Sequence, residues 1–234
     1  MRLLLIRHGQ TPANVLGQLN TRKPGPGLTE LGLTQAAAVP DALADETIGR
    51  IFATPLVRTQ LTAHPLAERL GLDVTVLDGL REIEAGDLED DSDRGSVEVY
   101  LSAALAWARG ELDPRIPGGP DGHEFFERFD AAIAEVVASG AETAAVFSHG
   151  MAIRCWASAR AANIEGSYAA THQLDNTGMV VLDSTGDEPW RLITWHTLPI
   201  GGQTLHDAAA VDPTGESMPG ADEPMPASDG NLPS

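Results

Sequence analysis

The chain has 234 residues, 42% of them hydrophobic, which suits one generous domain or two small ones and excludes collagen-like or wholly disordered architectures. Fifteen basic residues against 34 acidic ones leave a net charge of −19, which works against nonspecific binding to nucleic acid or to an anionic membrane. The longest early apolar run, Leu3 to Ile6, is far short of the roughly 20 residues that cross a bilayer, and no signal-peptide pattern opens the chain. A single cysteine, Cys155, excludes an intramolecular disulfide framework and suits a reducing compartment, so a cytoplasmic location is expected. Among the fifteen basic residues only Lys23 is lysine; an arginine bias fits bidentate phosphate contacts and equally fits a GC-rich genome.

No internal repeat at a fixed period is present. Arg2–Arg7 is the first predicted strand, followed by a Gly/Pro/Asn-rich loop from His8 to about Gly27. Thr29 is the predicted N-cap of a helix reaching toward Ala44, which Pro40 should kink or end early. A short strand at Arg50–Thr54 and a helix at Pro55–Leu70 come next, with Pro55 suited to the first turn and Pro65 an interior anomaly. A strand at Val74–Leu77 precedes helices near Ser96–Arg109 and His123–Ala138. A strand at Thr143–Phe147, a helix near Met151–Ala162, and strands near Met179–Leu182 and Arg191–Trp195 complete the pattern. Strands alternating with helices predict an α/β fold, a three-layer sandwich around a mostly parallel sheet. From Asp207 the composition changes: residues 207–234 hold six acids, no bases, five prolines and three glycines. The expectation is therefore a domain over residues 1–206 and an acidic, disordered tail over 207–234 that carries no chemistry.

The chemistry-bearing residues stand where strands end. In an open α/β sheet, ligands bind beyond the carboxyl ends of the strands. The first strand runs out into Arg7-His8-Gly9 with Asn14 close behind, and the fourth into Ser148-His149-Gly150 at the start of a helix. After the second strand, Arg58 falls in the first turn of the next helix. Arg7, Arg58, His8 and His149 could together surround a tetrahedral dianion with charge-assisted donors. After the third strand, Arg81-Glu82-Ile83-Glu84 supplies a carboxyl group for general acid work. Glu82 has rivals in Glu84, Asp87, Glu89, Asp90, Asp91 and Asp93. That acidic run lacks the turn glycine and terminal glutamate of a calcium loop. His123 is a candidate for the pocket mouth. His64, His172, His196 and His206 are expected at the surface or behind the site, the four tryptophans in packing, and Cys155 as a buried inert thiol.

These motifs, in this order, resemble the histidine phosphatase superfamily, also called phosphoglycerate mutase-like. Arg7-His8-Gly9 with Asn14, the Leu28-Thr29 to Gln35-Ala36 segment, Pro55-Leu56-Val57-Arg58 with Thr62-Ala63, Leu80-Arg81-Glu82 with Gly86-Asp87, Ser148-His149-Gly150 and Asp175-Asn176-Thr177 carry the resemblance over about residues 2–197. It implies that His8 is the nucleophile that takes the phosphoryl group. Arg7, Arg58 and His149 then hold its oxygens, with Asn14 orienting loop and phosphate. Glu82 protonates the leaving alcohol and afterwards activates water.

The implied activity is hydrolysis of a phosphate monoester with no metal or cofactor. The implied partner is a small phosphorylated substrate or a phosphopeptide, and the oligomeric state is not legible. A cofactor-dependent phosphoglycerate mutase is the rival on the same scaffold, and a non-catalytic phospho-ligand binding protein the rival of another class. The chain departs from the family where Gln18 replaces a common arginine and where Gly86-Asp87-Leu88-Glu89-Asp90 replaces the usual Gly-Asp-Trp-Glu-Gly. The 66 residues from Ile83 to Ser148 are compact beside the cap that mutases usually carry. Specificity is expected to lie in Gly17–Gly27 and about residues 84–128.

Overall fold

β1 (Arg2–Arg7) is buried at every position after Arg2. Side chains alternate across a strand, so Leu3 and Leu5 enter one apolar layer while Leu4 and Ile6 enter the other. A continuous apolar run thus marks a strand covered on both faces, as parallel central strands are. The structure, a computed structural model, describes residues 1–186, 188–210 and 212–215.

A single helical turn, α1 (Pro12–Val15), interrupts the loop after β1, and α2 (Glu30–Ala42) follows with Thr29 as its N-cap. Pro40 lies inside α2, which ends two residues later. Beyond β2 (Arg50–Ala53), α3 (Val57–Leu70) starts later than Pro55, with Leu56 as N-cap, so Arg58 is its second residue. After β3 (Val74–Val76) come α4 (Arg94–Ala108) and α5 (Gly122–Ala138). Then β4 (Thr143–Ser148) leads into α6 (Gly150–Arg160), α7 (Tyr168–Thr171), β5 (Met179–Asp183) and β6 (Arg191–His196).

The six strands lie in the order β3-β2-β4-β1-β5-β6. β1 to β4 pair parallel, and β5 and β6 add antiparallel pairs beside β1. Helices α2 and α3 cover one face, setting Val39, Ala63 and Leu66 against Leu4, Ile6 and Ile51. Helices α4, α5 and α6 cover the other, where Trp107, Phe125, Phe129 and Trp156 pack with Leu3, Leu5 and Phe52. The expected three-layer sandwich is the one observed.

Register positions the site. Arg7 pairs with Ser148 across β1 and β4, and Ala53 with Phe147 across β2 and β4. The residues that follow, His8, His149 and Thr54, therefore leave the same sheet edge side by side. The His8 amide confirms the alignment by donating to the Ser148 carbonyl at 3.0 Å.

Val211 and residues 216–234 of the expected tail lie outside the described residues. Its first part is hydrogen-bonded to the domain. The Gly215 carbonyl accepts from the Leu174 amide at 3.0 Å, and Asp207 accepts from Gln10 Nε2 at 2.8 Å. Composition counts acids and prolines, and a count carries nothing about which carboxylate finds a buried cation.

Candidate active site

His8 is 3% exposed, and its Nδ1 lies 2.8 Å from the Gly9 carbonyl. A carbonyl only accepts, so Nδ1 carries the proton and Nε2 keeps its lone pair. Burial, then the Arg58 and Arg7 cations, hold the His8 imidazole well below its ordinary pKa, and the ring is neutral near pH 7. The loop around it is tightly fixed. A Cβ at Gly9 would stand 2.7 Å from the Gly32 carbonyl at the start of α2, which explains the glycine after the histidine. Thr11 and Asn14 cap α1 reciprocally, the Asn14 Oδ1 accepting from the Thr11 amide at 2.9 Å. Asn176 donates from Nδ2 to the His8 carbonyl at 3.1 Å, which ties the Asp175-Asn176-Thr177 motif to the loop.

His149 is fully buried, its ring centroid 5.2 Å from that of His8 with the planes at 63°. Arg58 Nη2 donates to His149 Nδ1 at 3.2 Å, so the imidazole proton sits on Nε2 and goes to Thr54 Oγ1 at 3.1 Å. Burial, then Arg58, push the His149 pKa well down. Burial also pulls Arg58 down to about 10, which leaves it a cation at neutral pH. Arg58 is steadied by the Asn20 carbonyl at 2.9 Å, and Arg7 donates from Nη1 to the Leu174 carbonyl at 2.8 Å. The Nε–H groups of Arg7 and Arg58 are both buried without a hydrogen-bond partner among the described residues.

Glu82 is 3% exposed and sits on the N-terminus of α6, where Oε1 accepts from the Ala152 amide at 2.7 Å and Oε2 from the Met151 amide at 3.1 Å. Oε1 also accepts from the Ile83 amide at 2.9 Å. Burial is the largest influence and raises the Glu82 pKa, while the three amides oppose it. The anion-attracting helix end therefore holds a carboxyl group of the chain itself.

Most of the rival carboxylates are engaged elsewhere. Glu84 pairs with Arg81 at 2.8 Å and Arg128 at 3.4 Å. Glu89 takes the Thr21 and Arg22 amides at 2.7 and 2.8 Å, pinning the loop at the cleft wall. Asp90 accepts from Asn20 at 3.0 Å, Asp91 from the Ser96 hydroxyl at 2.9 Å, and Asp93 caps α4. Among the described residues no three imidazole, thiol or carboxylate groups converge as a ligand set for a metal ion.

His8, Asn14, Arg58 and Glu82 line one narrow cleft together with Gln18, Asn20, Thr21 and Thr214. Arg7 and His149 lie directly behind it. All six residues singled out in the sequence are thus brought together, and Gln18, the departure from the family pattern, faces the same cleft. His123 is not at its mouth. It is exposed beside Asp113 in a surface groove by Gly110 and Pro114, carried there by the first turn of α5. Sequence reasoning missed Thr54, Asn20, Asp212 and Thr214. Thr54 was visible as the residue that follows β2 at the same sheet edge as His8 and His149, whereas nothing in the tail's composition marks Asp212. The cysteine is buried as expected, its thiol pKa raised by burial.

The model of the histidine phosphatase superfamily (branch 1) matches residues 3–197, and the chain belongs to that family. It is 37% identical to the PE-PGRS family protein PE_PGRS11 of Mycobacterium tuberculosis (strain ATCC 25618 / H37Rv) over 88% of this chain, and spans about 38% of that protein's length. Against the probable phosphoglycerate mutase GpmB of Enterobacter sp. (strain 638) it is 31% identical over 91% of this chain and 98% of the relative. Among solved structures, mycobacterial glucosyl-3-phosphoglycerate phosphatase in complex with VO3 superposes with a TM-score of 0.68. There the identity is 30%, over 83% of this chain and 98% of that one. Among the described residues no helix is long and apolar enough to cross a membrane.

Proposed function

We propose that the chain hydrolyses a small phosphate monoester without a metal, by way of phosphohistidine at His8. The observation that carries this reading is the state of His8. It is a neutral imidazole with Nδ1–H spent on the Gly9 carbonyl and the Nε2 lone pair unspent, beside two buried guanidinium groups. In the first step Nε2 bonds to phosphorus as the bond from phosphorus to the ester oxygen breaks, and Glu82 gives its proton to the leaving alkoxide. In the second, the Glu82 carboxylate takes a proton from water, whose oxygen displaces Nε2 and releases inorganic phosphate. Arg7 and Arg58 neutralise the non-bridging oxygens, and their unpartnered Nε–H groups are donors that such an oxyanion satisfies. Asn14 orients the loop and the phosphate; His149, expected from the resemblance to hold a phosphate oxygen, instead sets Arg58, because its Nδ1 accepts from Arg58 and its Nε2–H goes to Thr54. Phosphoryl transfer of this kind needs positioning and charge neutralisation more than new covalent machinery.

The likeness to a glucosyl-3-phosphoglycerate phosphatase supports hydrolysis of an organic phosphate as the class of reaction. The single, buried cysteine fits action in the cytoplasm. Rapid mixing with an aryl phosphate and quenching in alkali should trap base-stable, acid-labile phosphate on His8. Label on serine or aspartate overturns the assignment.

A further inference from the structure

Arg7 is already engaged by the chain's own C-terminal segment. Asp212 Oδ2 lies 2.5 Å from Arg7 Nη2, and Asp212 Oδ1 accepts from Asn14 Nδ2 at 3.2 Å. Thr214 Oγ1 accepts from the same Nη2 at 2.9 Å, and Thr214 also forms part of the cleft wall that holds His8 and Glu82. Asp212 is 8% exposed and Arg7 is fully buried, so the pair is shielded from solvent screening. A carboxylate thus sits on two of the donors that phosphoryl transfer requires for the substrate.

We propose that residues 212–215 are an internal occupant of the phosphate clamp, which a phosphate monoester displaces when it binds. The inference rests on the phosphatase reading and adds a competition that the reading alone does not contain. The segment, Asp212-Pro213-Thr214-Gly215, has one apolar side chain, the proline ring. Its polar anchors are Arg7, Asn14, the Leu174 amide, and Arg154 Nη1 donating to the Thr214 carbonyl at 2.9 Å. Pro213 is buried, but the hold on Arg7 and Asn14 is charge and hydrogen bonds alone, so an anion of higher charge can replace Asp212 on those two donors. A phosphoryl dianion brings three oxygens and two charges where Asp212 brings two oxygens and one. Both cannot hold Arg7 Nη2 and the Asn14 amide at once without like charges in contact. On the far side of Asp212 a cavity of about 210 Å³, lined by Gln10, Gln35, His206 and Asp207, gives the segment room to yield. The affinity measured for substrate is then the intrinsic affinity reduced by the fraction of molecules in which the segment is displaced.

Asp212→Asn keeps the shape and removes the charge. The KM for a small aryl phosphate and the Kd for inorganic phosphate should each fall about 5- to 50-fold, with kcat not lowered. A rise in KM, or a loss of kcat, would make Asp212 a support for Arg7 and overturn the proposal. The unmodified chain gives a second readout by hydrogen exchange with and without saturating inorganic phosphate. The Leu174 amide, bonded to the Gly215 carbonyl, should exchange faster with phosphate bound; unchanged or slower exchange in the phosphate-bound chain overturns the displacement. Failure of the phosphatase reading looks different: neither form binds phosphate or turns over an ester, and the present proposal falls with it.

Discussion

Replacing Glu82 by glutamine tests the proposed proton-donor role apart from the structural one, because the structure gives each carboxyl oxygen a different load. Oε1 accepts two amide protons, from Ile83 and Ala152, and Oε2 accepts one, from Met151. The glutamine oxygen takes the Oε1 position, since the opposite flip would set its NH2 against two donors. Its NH2 then faces the Met151 amide, leaving one buried N–H unpaired, a defect worth about 1–3 kcal/mol of stability. The kinetic loss depends on the leaving group. An aryl oxide departs as a stable anion, whereas an alkoxide needs the proton, and a general acid is worth about 10²–10⁴-fold. The Glu82→Gln variant should therefore lose about that factor on an alkyl phosphate and less than about 10-fold on an aryl phosphate. Single-turnover rates on the two esters, with urea denaturation for stability, give the comparison. Equal losses on both esters would refute the proton-donor role and reduce Glu82 to a brace for α6.

How far the sequence carried the reading depends on the length over which each signal acts. β1 was legible because a strand buried on both faces is apolar throughout, and the Arg7–Ser148 register then brings two His-Gly motifs together without further information. Glu82 could be separated from its acidic neighbours only as an implication of resemblance. What distinguishes it physically is its seat on the α6 amides, 69 and 70 residues away in the chain. Pro55 was expected inside α3 and stands before it, because Thr54 Oγ1 accepts the Leu56 amide at 3.3 Å and sets Leu56 in extended backbone as the N-cap. His123 is a candidate for the pocket mouth by sequence, but the capping box at Asp121 starts α5 and points it outward beside Asp113. Asp212 was illegible. A salt bridge to Arg7 across 205 positions leaves no periodicity or local composition to find.

Three further outcomes follow from the charge inventory of the site. His8 and His149 are held neutral below their ordinary pKa, so the unfolded chain binds more protons as pH falls below about 6.5. Stability present above that pH is then lost on acidification, by at most about 1.4 kcal/mol per pH unit per histidine, and Glu82, raised by burial, opposes part of it. Denaturation midpoints at pH 7.5 and 5.5 should show the fall, and His8→Ala should flatten it; an unchanged slope would mean that His8 titrates alike in both states. Activity should survive EDTA, because the Arg7 and Arg58 guanidinium groups are the cations available to the phosphate; loss on chelation with recovery on added magnesium or zinc would reassign that field to a metal. The last outcome separates hydrolysis from isomerisation. A mutase must hold a dephosphorylated intermediate away from water and grip its second anionic group with cations outside the clamp. Here Gln18 faces the cleft where an arginine is common, Lys23 is paired with Asp78 at 2.7 Å, and Arg22 is exposed with Nη2 3.5 Å from the Gly86 carbonyl. No second grip is assembled among these residues, so water should reach phosphohistidine before a returning acceptor does. Given 3-phosphoglycerate and catalytic 2,3-bisphosphoglycerate, the chain should release inorganic phosphate and form little 2-phosphoglycerate. Efficient isomerisation with negligible phosphate release would show that the cleft retains its intermediate without those cations, and the chain would then be a mutase.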